Sequence, residues 1–282
     1  VEWLPGPFGE YEFMARALLA GLLTVVTTSV VGTWVVIRGM TFMGDALAHG
    51  VLPGISLAFV WGVDVRLGAI ASAVVMVAGI GLVHRRTRLP EDAGIGLLFV
   101  GMLALGVIVI SRQRSYVGDL SSFLFGDILG VSTGDVVGLA VTAVVVAVLV
   151  LATYRALLAV SFNPDKAATL GVHPRAAHAL MLGLVAVAIV SSFQAVGTLL
   201  VFGLLVAPPA TASLLVRRVP LVMLTAVLVG SVSVVVGLLV SFHHDTAASA
   251  TVSFTAVAIF FVVLAGREVR AALGARRSAA AA

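Results

Sequence analysis

Hydrophobic residues run through this chain in long blocks, and the polar residues gather in the gaps between them. Nine blocks approach the ~20 residues that a helix needs to cross a bilayer. They predict spans at 14–37, 42–62, 67–83, 94–111, 135–153, 176–195, 198–216, 220–241 and 249–266. The ten-residue in–out alternation of an outer-membrane barrel is absent. The segment 118–130, GDLSSFLFGDILG, is too short and too polar to cross. It is predicted as a re-entrant or short helical piece whose backbone must be buried in protein. The predicted fold class is therefore all-α: a polytopic helical membrane protein forming one transmembrane domain over 1–282.

Composition agrees with this pattern. Hydrophobic residues make up 61% of the chain and charged residues only 11%, against about a quarter charged in soluble domains. The net charge of +4 does not require a nucleic-acid partner. If the N-terminus lies outside and the C-terminus in the cytoplasm, thirteen of the seventeen Lys and Arg fall on the cytoplasmic side, as the positive-inside rule expects. Arg66, Arg112 and Arg114 fall outside, and Arg16 lies near the outer end of the first span. Three glutamates and no basic residue precede that span, so it reads as a retained helix, since a secretory signal begins with a basic region. The tail 270–282 is predicted as a flexible cytoplasmic end. With no cysteine, disulfides, thiolate metal sites and cysteine nucleophiles are excluded.

Candidate chemistry is concentrated in span two, which begins FMGDALAHGVLPG. Asp45 and His49 stand at i and i+4, on one helical face. Ionisable groups inside a bilayer cost ~2.5–3.5 kcal/mol on insertion scales and usually face a cavity. A carboxylate with an imidazole suits zinc or manganese better than magnesium or calcium. Pro53 lacks an N–H, so it is expected to kink the helix and to free the His49 carbonyl beside the pair. A structural Asp–His hydrogen bond is the competing reading. Pro208 and Pro209 mark a second expected kink.

His243, His244 and Asp245 lie in an outer loop, SFHHDTAA. Adjacent residues diverge by about 100° on a regular helix, so they converge on a metal only if the backbone is irregular; a hydrated turn is the alternative. Gly126-Asp127 adds an intramembrane acid and raises an aspartyl protease as a rival. No Tyr-Asp dipeptide and no Gly-x-Gly-Asp motif supports that rival. The inner stretch SFNPDKAATLGV predicts a short helix, started by Pro164 and Asp165 and ended by Gly171. It is a docking knob or a structured connector. Lys166, the only lysine, is outside any P-loop context, so the chain is not expected to be an enzyme and ATP hydrolysis would belong to a partner.

Five blocks in order resemble the zinc/manganese permeases of ATP-binding-cassette importers. They are MTFMGDALAHGVLPGISLAF, SSFLFGDILGVSTGD, SFNPDKAATLGV, AVGTLLVFGLLVAPPATA and FHHDTAASATV, and the resemblance covers about residues 14–266. It implies a multi-pass protein of the bacterial plasma membrane that acts as a homodimer. Its partners would be two cytoplasmic ATPase subunits and an extracytoplasmic metal-binding protein. Asp45 and His49 match the family's acid and histidine on the ion path. Asn163, Pro164, Asp165, Ala168 and Gly171 match the coupling helix that seats in the ATPase. His244 stands where the family usually has an aromatic before Asp-Thr. The expected cargo is zinc, with manganese or iron as alternatives and no permanently bound cofactor. A ferric-siderophore or cobalamin permease, and an ATP-independent carrier, are the remaining rivals.

Overall fold

A computed structural model of the chain describes residues 6–87, 89, 91–111, 126, 128–169 and 171–280. Among them the regular structure is entirely helical. The elements are α1 (Gly6–Glu10), α2 (Glu12–Ile37), α3 (Phe42–Gly50), α4 (Leu52–Trp61), α5 (Val65–Arg86), α6 (Glu91–Ser111) and a 3₁₀ turn (Ile128–Gly130). They continue with α7 (Thr133–Phe162), α8 (Pro164–Thr169), α9 (Pro174–Val196), α10 (Thr198–Leu215), α11 (Val219–His244) and α12 (Ala248–Ala280). Among the described residues nine stretches are long and apolar enough to cross a membrane, α3 and α4 together forming one. The nine predicted blocks fall on these nine stretches.

α2 is the central helix and packs against α7, α9, α10 and α11. Two-thirds of its apolar window is buried, against 17% for α6 and 22% for α7 and α12, so the latter three are peripheral. Trp34, Met14 and Val25 of α2 lie in the core with Leu204 and Leu205 of α10. The hydroxyls of Thr27, Thr28 and Thr33 donate to carbonyls one turn back. This satisfies polar groups that would be costly if left unpaired in an apolar interior.

Glycines set the closest helix crossings. A Cβ on Gly32 would lie 2.0 Å from the Leu205 carbonyl oxygen. Pro209 supplies no N–H to that carbonyl, and Gly32 lets α2 move in against it. Gly54 of α4 and Gly68 of α5 face each other: a Cβ on either would meet the other's carbonyl oxygen at 2.0 and 2.2 Å. Such small-residue contacts are how membrane helices gain close packing.

Span 42–62 is two helices separated at Val51, where the Pro53 kink is expected. Pro208 and Pro209 lie inside the single helix α10. Two details differ from the sequence reading. α7 runs to Phe162, well past the predicted end at 153, since hydropathy marks where lipid ends and not where the helix ends. α12 stays helical to Ala280 where a flexible tail is expected. Of the segment 118–130, residues 118–125 and 127 lie outside the described residues, Asp127 included. Its last part, the 3₁₀ turn, packs against α2 with Ile128 fully buried.

Candidate functional site

The break in span two positions the Asp45–His49 pair. Pro53 cannot donate to the His49 carbonyl, so α3 ends at Gly50 and α4 begins at Leu52. The Val51 N–H turns back to the His49 carbonyl. The Ser72 hydroxyl of α5 donates to the Gly50 carbonyl at 2.8 Å, replacing a helical partner with a side chain from the next span. Ser72 is buried and sits one turn from Gly68, so the Gly54–Gly68 contact is what brings it within reach. The sequence reading missed Ser72; its signal was a lone hydroxyl at one-turn spacing from a glycine.

Asp45 and His49 thus occupy the first and last turns of α3. His49 Nε2 lies 3.4 Å from Asp45 Oδ1, longer than the about 2.7–2.9 Å of a tight charge-assisted hydrogen bond. Their side chains are 23% and 31% exposed respectively, so the pair is open on one side. Nδ1 of His49 is buried and has no hydrogen-bond partner among the described residues. Phe99 of α6 stands edge-on to the imidazole, with ring centres 5.8 Å apart, and Phe42 packs on Phe99 in turn. The ring is therefore held by packing, with Nε2 directed to Asp45. Among the described residues no group of three or more His, Asp or Glu comes together as a metal cage. One chain offers two donors here.

The outer loop is built differently. Asp245 takes a left-handed backbone, φ 50°, and ends α11. The Ser241 hydroxyl donates to the Thr246 carbonyl, and the Thr246 and Thr251 hydroxyls pair at 2.8 Å. His243 Nδ1 is 2.8 Å from the Leu239 carbonyl one turn back. His243, His244 and Asp245 are all exposed and are not gathered with Asp45 and His49. These contacts are turn chemistry.

At the far side, α8 is capped by Asn163, whose Oδ1 accepts the Lys166 N–H at 3.0 Å. The sequence reading starts this helix with Pro164 and Asp165 and does not name Asn163 as its cap. Gly171, at φ 78°, closes the other end: its N–H goes to Ala168 and the Val172 N–H to Ala167, the Schellman pattern. Ala167 is buried against Val160 of α7 and Ala177 of α9, while Lys166, Ala168 and Thr169 stay exposed. The helix is a small, fixed protrusion.

Residues 10–267 match the model of the ABC 3 transport family. The chain belongs to that family. A manganese transport system membrane protein, MntC, from Listeria monocytogenes is 34% identical over 253 residues, covering 90% of each chain. A chelated iron transport system membrane protein, YfeD, from Yersinia pestis is 35% identical over 257 residues, covering 91% of this chain and 86% of the other. Among solved structures, PsaBC from Streptococcus pneumoniae in complex with Fab matches with a TM-score of 0.81 and 29% identity, over 93% of this chain and 94% of that one. As an ABC 3 chain it keeps its split second span, its capped α8 and its long α7 within one fold that the family model covers almost end to end.

Proposed function

We propose that the chain is the membrane-spanning subunit of an ATP-driven importer for divalent first-row metal ions, with manganese the favoured cargo and iron the second. The observation that carries this reading is the open Asp45–His49 pair at the break in span two. Its oxygen and nitrogen donors suit transition ions over calcium or magnesium. The relatives named for manganese and iron move the cargo away from the zinc expected from sequence. Two donors make a weak, incomplete site, which suits an ion that must leave again. A second copy related by two-fold symmetry would bring a second pair to the same axis, making four donors.

In this reading the N-terminus lies outside and α8 faces the cytoplasm. The exposed surface of α8 around Ala168 and Thr169 seats in a partner ATPase, and closure of two ATPases on ATP drives alternating access. An extracytoplasmic metal-binding protein delivers the ion, and the assembly sits in a bacterial plasma membrane. The test is uptake of radiolabelled manganese by vesicles containing the assembled complex, with and without ATP. Loss of uptake in His49→Ala, with assembly and ATP-binding intact, is expected. Normal uptake by that variant, or uptake indifferent to ATP, would overturn the reading.

A further inference from the structure

A cleft of about 600 Å³ lies between α5 and α7, with α9 as its floor. α5 and α7 do not pack along their lengths; each packs on α9 instead. At one end the gap is bridged by an ion pair, Arg66 Nη2 to Asp135 Oδ1 at 3.0 Å. Asp135 is itself fixed, since the N–H and hydroxyl of Ser132 both donate to its Oδ2. Beyond this rim the lining is mostly apolar, with Ile70, Val74 and Val77 on one wall, Leu139 on the other, and Ala186 and Val190 below; the Thr142 and Ser191 hydroxyls turn to carbonyls of their own helices. Ile70 and Val74 are half or more exposed, so this wall opens sideways to the bilayer.

The dimensions fit one kind of occupant. The α5 wall from Arg66 to Ala78 spans thirteen residues, twelve steps of 1.5 Å or about 18 Å. One leaflet of the hydrocarbon core is about 15 Å deep, half of the full thickness. The charge is at the headgroup end only. A span from a second copy would bring no phosphate to Arg66, and the test below tells the two occupants apart.

We propose that the cleft binds a membrane phospholipid, one acyl chain lying along α9 and the phosphate seated against Arg66. The Arg66 side chain is 64% exposed, and a guanidinium engages phosphate oxygens through parallel N–H donors. Asp135 holds the guanidinium at the rim and offsets part of its charge, so the phosphate meets positioned N–H donors and not a lone cation. The chain fills the gap that α5 and α7 leave and joins the two helices. This inference depends on the membrane fold and not on which ion is carried.

The test uses the assembled transporter in nanodiscs doped with a phosphatidylglycerol carrying a diazirine midway along one acyl chain, followed by irradiation and peptide mapping. Adducts are expected on α5 residues 70–78 and α9 residues 183–190. Gly138 of α7 lines the cleft and has open space beyond its Cα, so Gly138→Trp should fill the cleft and remove most of these adducts while labelling of α6 is unchanged. Thr142→Phe serves the same purpose should the tryptophan variant fail to assemble. Arg66→Gln should abolish the preference for phosphatidylglycerol over a diacylglycerol probe of the same chain length. Undiminished labelling of the cleft in an assembled blocking variant overturns the proposal. So does a disulfide-linked dimer forming in high yield from Thr142→Cys in this cysteine-free chain, which would make the occupant a second copy.

Discussion

Replacing Gly54 by alanine, far from any ion, should impair both folding and transport. The new Cβ would lie 2.0 Å from the Gly68 carbonyl oxygen, whereas ordinary contact begins at 3.4 Å. α4 and α5 must therefore separate by about 1.4 Å at this crossing, and such overpacking typically costs about 1–3 kcal/mol. The same displacement would stretch the 2.8 Å bond from Ser72 to the Gly50 carbonyl beyond hydrogen-bonding range. That adds about 0.5–1.5 kcal/mol and leaves a carbonyl unpaired at the end of α3. Gly68→Ala should behave alike, because its Cβ would meet the Gly54 carbonyl oxygen at 2.2 Å. The two share one contact, so the double variant should lose less than the sum, with a coupling of about 0.5–3 kcal/mol. Thermal stability of the detergent-solubilised protein, read by fluorescence-detected gel filtration, gives the first measure. Manganese uptake by the surviving protein gives the second, with a raised KM expected as His49 loses its support. Gly81→Ala, where a Cβ meets nothing within 4 Å, is the control. A Gly54→Ala protein as stable as wild type, or losses that simply add in the double variant, would refute the crossing as the constraint.

Three further outcomes are expected. Ser72→Ala should cost about 1–2 kcal/mol, mostly for the unsatisfied Gly50 carbonyl, and should raise the KM for manganese without altering assembly. Asn163→Ala should remove the cap of α8 at about 1 kcal/mol, seen as reduced metal-stimulated ATPase activity in the complex while metal binding is unchanged; unaltered stimulation would count against α8 as a coupling element. Asp45→Asn keeps the shape but weakens the donor, and metal titration by calorimetry should show affinity falling at least tenfold, about 1.4 kcal/mol. An unchanged affinity would assign Asp45 a structural part.

The spans were legible because lipid demands continuous apolar length, and the Asp45–His49 face was legible because i and i+4 always meet on a helix. The crossings were not. Nothing local marks Gly54 and Gly68 as partners among so many glycines, and Ser72 becomes a cap only after two helices have crossed. Asn163 and Asp165 are both plausible caps by composition, and backbone geometry at the start of α8 selects Asn163. The identity of the cargo is not written in two donors, since manganese, iron and zinc all accept oxygen and nitrogen.

The joint between α7, α8 and α9 has a mechanical consequence. Only Asn163 separates α8 from α7, and residues 170–173 separate it from α9, with Ala167 clamped between the two. In the role proposed for α8, a push on it would find little slack and would become a tilt of two rods. α7 is a 30-residue lever, about 45 Å long, and a pivot near its middle would return a shift of about 1–2 Å undiminished at the opposite tip. That tip carries Asp135, whose 3.0 Å hold on Arg66 has less tolerance than the stroke itself. The exposed Arg66 side chain would have to follow each stroke, giving a tally of cycles at the end of the lever most distant from the hand that moves it.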